Sequence, residues 1–238
     1  MPVLKQISGG LGTGKARVAI VIDDLGQPNE TGIKEIISLG IPVTCAVMPN
    51  MENTRKHAEE IHRAGHEVIV HLPLEPVNGK SSWLGPGAIT SSLSEKEIRT
   101  LAKKDFDSVP YAVGFNNHMG SAATSNEVIM RPILMEAMER GFFVLDSRTT
   151  DKTVIPLISK DLGIPCIKRD VFLDNINNVQ QIKKQLAVLE NKAFKKGTAI
   201  GIGHVGGGRH TTVKALQEMI PAMKERGIEF VYLSQIVY

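Results

Sequence analysis

Short apolar runs alternate with amphipathic stretches along nearly the whole chain. Runs rich in Val, Ile and other apolar residues predict β-strands, and stretches in which apolar residues recur every three or four positions predict helices. The predicted strands cover residues 17–23, 42–48, 67–72, 111–115, 142–146, 165–168, 198–203 and 229–233. The predicted helices cover residues 30–39, 51–64, 94–107, 126–140, 151–162, 178–195 and 211–226. This alternation is typical of an α/β fold with a mostly parallel sheet.

Signals for helix ends agree with this pattern. Ser94 and Glu97 form a capping-box pair that predicts the start of a helix, and Gly65 and Gly141 predict two helix ends. The composition does not change over any domain-sized stretch. We therefore expect residues 17–238 to form a single domain, with a sheet that is either open or closed into a barrel.

Composition and charge exclude several classes of protein. With 238 residues, 42% of them hydrophobic, the chain is long enough for a sizeable core. A net charge of only +3 and an aromatic content of 5% argue against a nucleic-acid partner. No apolar run is long enough to cross a bilayer. Cys45 and Cys166 lie in apolar runs and are predicted to be buried thiols. The sequence gives no indication of an oligomeric state.

The N-terminal segment, residues 1–16, is rich in Gly, and we expect it to be loosely held. It lacks the apolar core of a signal peptide. Two localisations therefore fit the sequence. One is the cytoplasm, and the other is the cell envelope or the exterior, if a leader has been removed.

The strand predicted at residues 17–23 runs into two adjacent carboxylates, Asp23 and Asp24. The carboxyl ends of parallel strands are where α/β proteins place their sites. Two neighbouring carboxylates repel, and burying them costs several kcal/mol unless a cation compensates, so a metal ion explains the pair. Considered alone, the pair is explained equally well as a helix N-cap beside a solvated neighbour.

Histidines at the ends of other predicted strands favour the metal. His71, His118 and His204 each end or directly follow an apolar run, although a lone histidine there is more often a hydrogen-bonded core residue. One Asp with two His is the ligand pattern of a catalytic zinc site that leaves coordination positions open. The remaining histidines are predicted on helix surfaces or in loops: His57, His62, His66 and His210.

Two glycine motifs have the spacing of nucleotide-binding turns but lack the rest of what such turns require. The segment 9–15 has the spacing of a phosphate loop, but Ala16 stands where a Ser or Thr would bind magnesium, and the segment precedes a strand. Gly201, Gly203 and Gly206 have the spacing of a dinucleotide-binding turn, but no carboxylate follows the next strand. A nucleotide-binding function is therefore disfavoured.

In order and placement, these strand-end residues resemble the motifs of the divergent polysaccharide deacetylases, relatives of the metal-dependent carbohydrate-esterase deacetylases. The resemblance covers about residues 17–235. Its motifs are Asp23-Asp24, Gly65-His66-Glu67 with His71, Asn117-His118-Met119-Gly120-Ser121, Asp146 and His204. It implies an irregular (β/α) barrel of about seven to eight mostly parallel strands, with the site at their carboxyl ends.

The resemblance also implies a metal-ligand set. Asp24 and His71 match family ligands, and His118 is interpreted as a third. Together they would bind Zn²⁺ or another divalent transition metal. The chain departs from the family at Glu75, which stands four residues after His71, where a second metal-binding His is usual. We expect Glu75 to lie near the metal without being needed to hold it.

Three further residues take catalytic roles by the same resemblance. Asp23 would be the base, and His204 would be the general acid that protonates the leaving amine. Asp146, or Arg148 close to it, would orient a catalytic group, and Asp170 is a weaker candidate for that role.

The predicted substrate-binding residues are Asn117, Ser121, Arg148 and Trp83. Trp83 lies in a Pro- and Gly-rich loop, where its ring offers a flat surface to a sugar. The other interpretation of Trp83 is a plug that packs over the core.

The implied function is removal of acetyl groups from an N-acetylated or O-acetylated polysaccharide, or from an amino-sugar oligomer, by metal-activated water. Two alternatives stay open. One is a catalytically silent glycan-binding or regulatory module with the same fold, and the other is a metal amidase or esterase with another substrate. The sequence indicates a reaction centre but not the sugar or the acyl group.

Overall fold

The computed structural model describes residues 15–28, 32–205 and 210–237. Within them the strands are β1 (Ala16–Leu25), β2 (Thr44–Val47), β3 (Glu67–Leu74), β4 (Ala112–Met119), β5 (Phe143–Asp146), β6 (Cys166–Lys168), β7 (Val171–Phe172), β8 (Thr198–His204) and β9 (Ile228–Val231). The α-helices are α1 (Ile33–Ile37), α2 (Thr54–Arg63), α3 (Glu95–Ser108), α4 (Glu127–Glu139), α5 (Ile155–Leu162), α6 (Val179–Lys196), α7 (Thr211–Glu225) and α8 (Ser234–Val237). Two short 3-10 helices span Ser81–Trp83 and Ala123–Ser125.

The strands form one parallel sheet in the order β6-β5-β4-β3-β2-β1-β8-β7, and β9 pairs with the start of β1. β6 and β7 stand at opposite ends of this order, yet only Arg169 and Asp170 separate them. The peptide nitrogen of Arg169 donates to the Asp146 carbonyl at 3.1 Å, and that of Asp170 donates to the Ile200 carbonyl at 3.0 Å. The sheet therefore curls until its two ends meet at residues 169–170, which we call the seam. The predicted irregular (β/α) barrel is confirmed.

Alternation along β1 divides the core into two parts. Val18, Ile20 and Ile22 belong to the larger cluster that the helices cover. Ala19 and Val21 belong to a smaller cluster inside the barrel. Because successive side chains of a strand point to opposite faces, the residue two positions beyond Val21 also points inward. That residue is Asp23, so the barrel interior changes from apolar to charged at the carboxyl end of the strand.

The interior is closed from the opposite end by the C-terminal residues. Leu233 is fully buried in the inner cluster, and Ile236 and Val237 of α8 pack against it. This short helix was not predicted, because four residues are too few to show a helical period. The barrel interior is thus filled by apolar side chains toward its N-terminal end, and the cavity that Asp23 lines lies at the carboxyl end.

Several predicted helix boundaries are confirmed. The Ser94 side chain accepts a hydrogen bond from the Glu97 peptide nitrogen, and the Glu97 carboxylate accepts one from the Ser94 nitrogen, which completes the capping box. Gly65 and Gly141 follow α2 and α4 with left-handed φ angles of 82° and 67°. The helix predicted from residue 151 begins at Ile155 instead, because a proline in its first turn favours that start.

Other predictions differ from the structure or fall outside its described part. His57 and His66 are buried rather than exposed, and His57 Nδ1 accepts a hydrogen bond from the Gly26 nitrogen at 2.9 Å. Cys45 is buried as predicted, whereas Cys166 is partly exposed. The helix expected from residue 30 starts at Ile33, and residues 29–31 are not among those described. No described helix is long and apolar enough to cross a membrane.

The two glycine motifs have structural explanations where they are described. A Cβ atom at Gly201 would lie 2.7 Å from Leu189 Cδ2, and one at Gly203 would lie 2.5 Å from Thr212 Cγ2. These glycines therefore let helices approach β8 closely. Gly206 and residues 1–14, which include most of the other motif and of the expected loose segment, lie outside the described residues.

Candidate metal centre and active site

The end of β1 is irregular in a way that brings both carboxylates to one place. The register between β1 and β2 shifts between Ile22 and Leu25, as in a β-bulge. Asp24 has a φ of 67°, in the left-handed region that non-glycine residues rarely adopt. Regular alternation would send Asp23 and Asp24 to opposite faces of the sheet. The bulge instead lets both line the same cavity.

Asp24, His71 and His118 meet at the carboxyl ends of β1, β3 and β4. Asp24 Oδ1 lies 3.3 Å from His71 Nε2 and 3.2 Å from His118 Nδ1, and the two nitrogens are 3.1 Å apart. Ligand atoms about 2.0–2.2 Å from a tetrahedral Zn²⁺ would be separated by about 3.3–3.5 Å. Among the described residues, this is the group of His, Cys, Asp and Glu side chains that could hold a metal ion.

The hydrogen-bonding state of Asp24 also fits a cation. Its Oδ1 is buried, and the polar atoms that face it are the two histidine nitrogens. Burial alone would raise the pKa of Asp24, but His118 and His71 hold this pKa well below its usual range. An ionised, buried oxygen that faces two imidazole nitrogens is the kind of atom a metal would engage. The three residues predicted as ligands therefore fit a divalent metal.

Asn116 links the ligand cluster to the neighbouring carboxylate. Its Oδ1 lies 2.8 Å from His71 Nδ1, and its Nδ2 donates to the Asp23 carboxylate at 2.9 and 3.1 Å. Because the amide nitrogen faces Asp23, the amide oxygen must accept from His71, which leaves His71 Nε2 free for a metal. Sequence reasoning assigned Asn116 no role. Its position two residues before His118 on β4 is the signal that could have done so.

Asp23 is almost fully buried beside two histidines. Its Oδ2 lies 3.7 Å from His71 Nε2 and 4.0 Å from His204 Nε2. Burial raises the pKa of Asp23 above the usual Asp value, although His71, His204 and the Asn116 hydrogen bonds oppose that rise. A carboxylate whose pKa is raised in this way is suited to accepting a proton.

His204 reaches the same place from the neighbouring strand, with its Cα directly opposite that of Asp23. Its Nδ1 lies 2.8 Å from Asp174 Oδ1, and its peptide nitrogen donates to Asp174 Oδ2 at 2.7 Å. Thr212 Oγ1 donates to the same Oδ2 at 2.7 Å. Burial lowers the pKa of His204, but Asp174 and Asp23 outweigh it and raise this pKa to about 9. His204 thus carries a proton at neutral pH, with Nε2 facing Asp23.

These side chains line a cavity of about 290 Å³. Phe172 stacks on the His204 ring with the centroids 5.6 Å apart. Trp83 is 58% exposed, so its ring does not plug the core. The full lining is Asp23, Asp24, His71, Trp83, Asn117, His118, Met119, Ser147, Thr149, Phe172 and His204.

Two predicted residues near β5 do not line this cavity. Leu145 points into the barrel, so its neighbour Asp146 points the other way, where its Oδ1 accepts from the Arg148 nitrogen at 2.8 Å. The Arg148 side chain pairs with Asp151 at 2.8 Å. The residue after Asp146, Ser147, does line the cavity, and its buried hydroxyl makes no hydrogen bond.

Three more candidates serve the surrounding loops. Ser121 Oγ accepts from the Val77 nitrogen at 2.9 Å, and Glu75 Oε2 accepts from the Ser91 nitrogen at 2.6 Å. Asp170 accepts from the Ile200 nitrogen at 3.0 Å, at the seam. Of the predicted substrate-binding residues, the structure brings Asn117 and Trp83 to the cavity. The groups in contact with the predicted acid and base are Asp174 and Asn116, in place of Asp146, Arg148 or Asp170.

Comparison with known proteins begins with their sequences. The family described as divergent polysaccharide deacetylase matches residues 20–237. The uncharacterized protein YibQ of Escherichia coli is 35% identical over 206 residues, which cover 86% of this chain and 62% of that protein. An uncharacterized protein of Haemophilus influenzae is 31% identical over 206 residues, which cover 85% and 70%. The chain thus spans less than two thirds of the E. coli relative.

Solved structures share the fold. The uncharacterized protein ATU2773 from Agrobacterium tumefaciens superposes with a TM-score of 0.87 at 25% identity, over 94% of this chain and 90% of that one. The peptidoglycan N-acetylglucosamine deacetylase Bc1960 gives 0.57 at 15% identity, over 93% and 87%. A mutant of a CE4 family pseudoenzyme with restored enzymatic activity gives 0.55 at 17% identity, over 94% and 68%. These last two likenesses show the fold alone; one of the two proteins is an enzyme and the other is a mutated pseudoenzyme.

Proposed function

Because the chain belongs to the divergent polysaccharide deacetylases, we propose that it is a metal-dependent hydrolase that removes acetyl groups from an N-acetylated polysaccharide or amino-sugar oligomer. The observation that best supports this is the arrangement, around one cavity, of a ligand cluster, a buried carboxylate and a histidine with its own carboxylate partner. A glycan-binding module would need at most the ligand cluster. It would have no use for Asp23 beside Asp24 or for the His204–Asp174 pair.

Asp24, His71 and His118 would hold the metal. A bound Zn²⁺ or similar ion would polarise the acetyl carbonyl and acidify a water molecule. Asn116 accepts from His71 Nδ1 at 2.8 Å, which leaves Nε2 to hold a metal. The protein's part in this step is to fix the ligands before the substrate arrives.

Asp23 takes the proton of the attacking water. Its raised pKa makes it a better base than an ordinary Asp, and Asn116 holds both of its oxygens in place. As water adds to the carbonyl carbon, the carbonyl oxygen gains the negative charge. The protonated His204, 4.0 Å from Asp23, adds a positive charge on the same side of the cavity.

His204 completes the reaction. Asp174 fixes its Nδ1 at 2.8 Å, so that the Nε2 proton faces the cavity. When the C–N bond breaks, this proton passes to the leaving nitrogen, and the products are acetate and a free amine. The base and the acid thus act in turn on one amide bond: Asp23 on the attacking water and His204 on the leaving nitrogen.

The form of the cavity supports a sugar substrate. The exposed ring of Trp83 and the ring of Phe172 are flat apolar surfaces on its wall, and Asn117 adds a polar group. A polysaccharide substrate would place the protein's action in the cell envelope or outside the cell.

The test is release of acetate by the zinc-loaded protein. We would supply chitin-type and peptidoglycan-type oligomers, and an O-acetylated oligomer for comparison, and measure both acetate and the new free amine by mass spectrometry. Asp23→Asn and His204→Ala should each keep a full zinc equivalent and slow turnover roughly 10²–10⁴-fold. His62→Ala, which changes an exposed histidine on α2, is the matched control and should retain wild-type activity.

The alternatives have distinct outcomes. A zinc-loaded protein that binds an oligomer but releases no acetate over a broad pH range would favour the silent binding module. Hydrolysis confined to non-sugar amides or esters would keep the chemistry and reject the polysaccharide substrate. Wild-type turnover in Asp23→Asn would reject Asp23 as the base.

A further inference from the structure

His118 contacts the ligand cluster with one ring nitrogen and the loop that carries Trp83 with the other. We propose that this histidine couples the two, so that a metal held at Nδ1 fixes the Trp83 loop, and metal binding and sugar binding strengthen each other. The inferred coupling between metal and loop depends on the ligand assignment. The sugar-binding part rests on the proposed function.

The geometry of the ring determines the direction of the effect. His118 Nδ1 lies 3.2 Å from Asp24 Oδ1, and Nε2 lies 3.1 Å from the Trp83 carbonyl oxygen. A neutral imidazole has one N–H group, so a metal at Nδ1 leaves the proton on Nε2, where it donates to the carbonyl. Without a metal, the proton can move to Nδ1 and face Asp24. The lone pair of Nε2 then opposes the lone pairs of the carbonyl, and the hydrogen bond to the loop is lost.

The loop is held by hydrogen bonds at its two ends and by Leu84, which is buried next to Trp83. The Glu75 nitrogen donates to the Ile89 carbonyl at 3.0 Å, and the Val77 nitrogen donates to Ser121 Oγ at 2.9 Å. Between the two ends the chain turns through the short 3-10 helix that ends at Trp83, a residue that is 58% exposed and whose ring has Lys80 Nζ 5.9 Å from its centroid. A side chain exposed to this degree has little packing to hold it. The contact from His118 is therefore well placed to determine where the ring stands.

Linkage makes the effect reciprocal. If the metal favours the loop position that binds a sugar, then a bound oligomer must strengthen metal binding by the same factor. A single hydrogen bond of this type changes an equilibrium about 2- to 10-fold. The expected coupling is therefore modest but measurable.

Trp83 is the single tryptophan of the chain, so its own emission reports on the loop. We would titrate metal-free protein with Zn²⁺ at mildly alkaline pH, where an ordinary imidazole is neutral, and record tryptophan emission. Zn²⁺ is a closed-shell d¹⁰ ion with no redox chemistry, so a change in emission reports a change in the surroundings of the ring. We expect a saturable change in emission whose midpoint matches zinc binding measured with a competing chelator.

Gly85→Ala tests the link from the side of the loop. Gly85 lies two residues after Trp83 with a φ of 79°, where an alanine is strained, and its Cβ would approach Met48 Cε at 3.1 Å. Shifting the loop should weaken zinc binding about 2- to 10-fold. Gly163→Ala is the matched control, because that glycine has a φ of 70° with open space around it, at the end of α5. It should leave zinc affinity unchanged.

Trp83→Ala removes the ring and keeps the backbone carbonyl, so it distinguishes the contributions of these two groups. The carbonyl that faces His118 is retained, so zinc affinity measured with the chelator should stay within about 2-fold of wild type. Binding of a chitin-type oligomer should fall. In wild-type protein, the same oligomer should bind about 2- to 10-fold more tightly with zinc than without it.

The outcomes distinguish this inference from the proposed function. Zinc that binds without changing Trp83 emission, or with equal affinity in Gly85→Ala and wild type, would overturn the coupling and leave the metal site intact. Absence of zinc binding would overturn the ligand assignment and the coupling with it. A protein that shows the emission change but releases no acetate would retain the coupling and reject the proposed hydrolase.

Discussion

The side-chain amide of Asn116 serves two neighbours with different tasks. Its oxygen lies 2.8 Å from His71 Nδ1, and its nitrogen donates to both oxygens of Asp23. An amide is suited to this place because it accepts on one side and donates on the other without adding charge. A carboxylate could not donate to Asp23, and an apolar side chain would leave two buried groups without partners.

We therefore expect Asn116→Ala to weaken zinc binding about 10- to 100-fold, because His71 loses the contact that orients its ring. Competition with a coloured chelator measures this affinity directly. Asn126→Ala is the control, since Asn126 caps α4 by accepting from the Val128 nitrogen at 2.9 Å. That change should lower stability by about 1 kcal/mol and leave zinc affinity alone. Equal affinity in Asn116→Ala and wild type would show that the amide does not position His71.

Asp174 controls the protonation of His204. Burial lowers the pKa of His204, whereas the Asp174 hydrogen bond and the Asp23 charge raise it to about 9. A general acid must carry its proton, so we expect kcat/KM to fall as pH rises through about 9. Asp174→Asn removes a negative charge that raises this pKa, so the fall in kcat/KM at alkaline pH should move to lower pH. The measurement is kcat/KM for acetate release as a function of pH.

Asp170→Asn provides a comparison for this shift, because that carboxylate accepts from the Ile200 nitrogen at the seam instead of contacting His204. In Asp170→Asn, kcat/KM should fall at nearly the same alkaline pH as in wild type. An unchanged fall in Asp174→Asn would contradict the assignment of His204 as the acid or of Asp174 as its partner.

At the scale of elements, β8 and α7 approach each other where they support the site. A Cβ at Gly203 would lie 2.5 Å from Thr212 Cγ2, and Thr212 Oγ1 donates to Asp174 at 2.7 Å. We expect Gly203→Ala to lower the free energy of unfolding by about 1–3 kcal/mol, as overpacking does, and to reduce turnover by displacing Asp174. Urea unfolding and acetate release together test this.

Gly40→Ala is the control that distinguishes steric overlap at Gly203 from the effect of replacing a glycine elsewhere. Gly40 has a φ of 63° with no atom within 4 Å of its built Cβ, so the strain there is confined to the backbone. That variant should lose about 1 kcal/mol and keep its turnover. If both variants retained full turnover, the contact between β8 and α7 would not support the site.

Strand ends could be predicted from the sequence because the apolar runs are short and end sharply. β1, β3, β4 and β8 each end near residues that the sequence marked as chemically important, and the structure brings Asp23, Asp24, His71, His118 and His204 to one cavity. The irregular parts could not be predicted. β7 has two residues, too few for any period, so the loop that carries Asp174 had no element to place it. The bulge at Asp24 depends on pairing with β2, which local pattern does not encode.

At the scale of the whole molecule, the stability of the barrel should depend on one buried carboxyl that sequence reasoning did not single out. Asp105 on α3 is fully buried, and its Oδ1 accepts from Asn50 Nδ2 at 2.6 Å. Its Oδ2 has no hydrogen bond. Burial raises the pKa of Asp105 to about 8, although Asn50 and Lys104 oppose the rise. Because the folded state then binds this proton more tightly than the unfolded state, stability is lost as pH rises from about 4 through about 8.

Asp105→Asn removes this titration and keeps an oxygen for Asn50. We expect the variant to be more stable than wild type at about pH 8, by on the order of 1–3 kcal/mol, and nearly equal to it at about pH 4. Guanidinium unfolding across this pH range measures the difference. A variant that is less stable than wild type by the same amount at every pH would rule out a buried, titrating Asp105.

Closure of the sheet is a property that the sequence left open. Alternating strands and helices fit an open sheet as well as a barrel. The contacts that close it join residues far apart in the chain, such as the Asp146 carbonyl with the Arg169 nitrogen and the Asp170 nitrogen with the Ile200 carbonyl. Local periodicity carries no information on such pairs, so the family resemblance, and not the pattern itself, indicated the barrel.

At the seam, covalent bonds fix the spacing between the two ends of the sheet beside the candidate site. Ser147, which follows β5, and Phe172 of β7 lie on the two sides of the seam. Elsewhere around the barrel, backbone hydrogen bonds between neighbouring strands fix their spacing. Here a dipeptide spans the gap, and Arg169 braces it by donating to the Ser147 carbonyl at 2.8 Å with its guanidinium 3.7 Å from the Phe172 ring. Lengthening the link at residues 169–170 should therefore widen the cavity without moving β1 and β3, which carry Asp23 and His71.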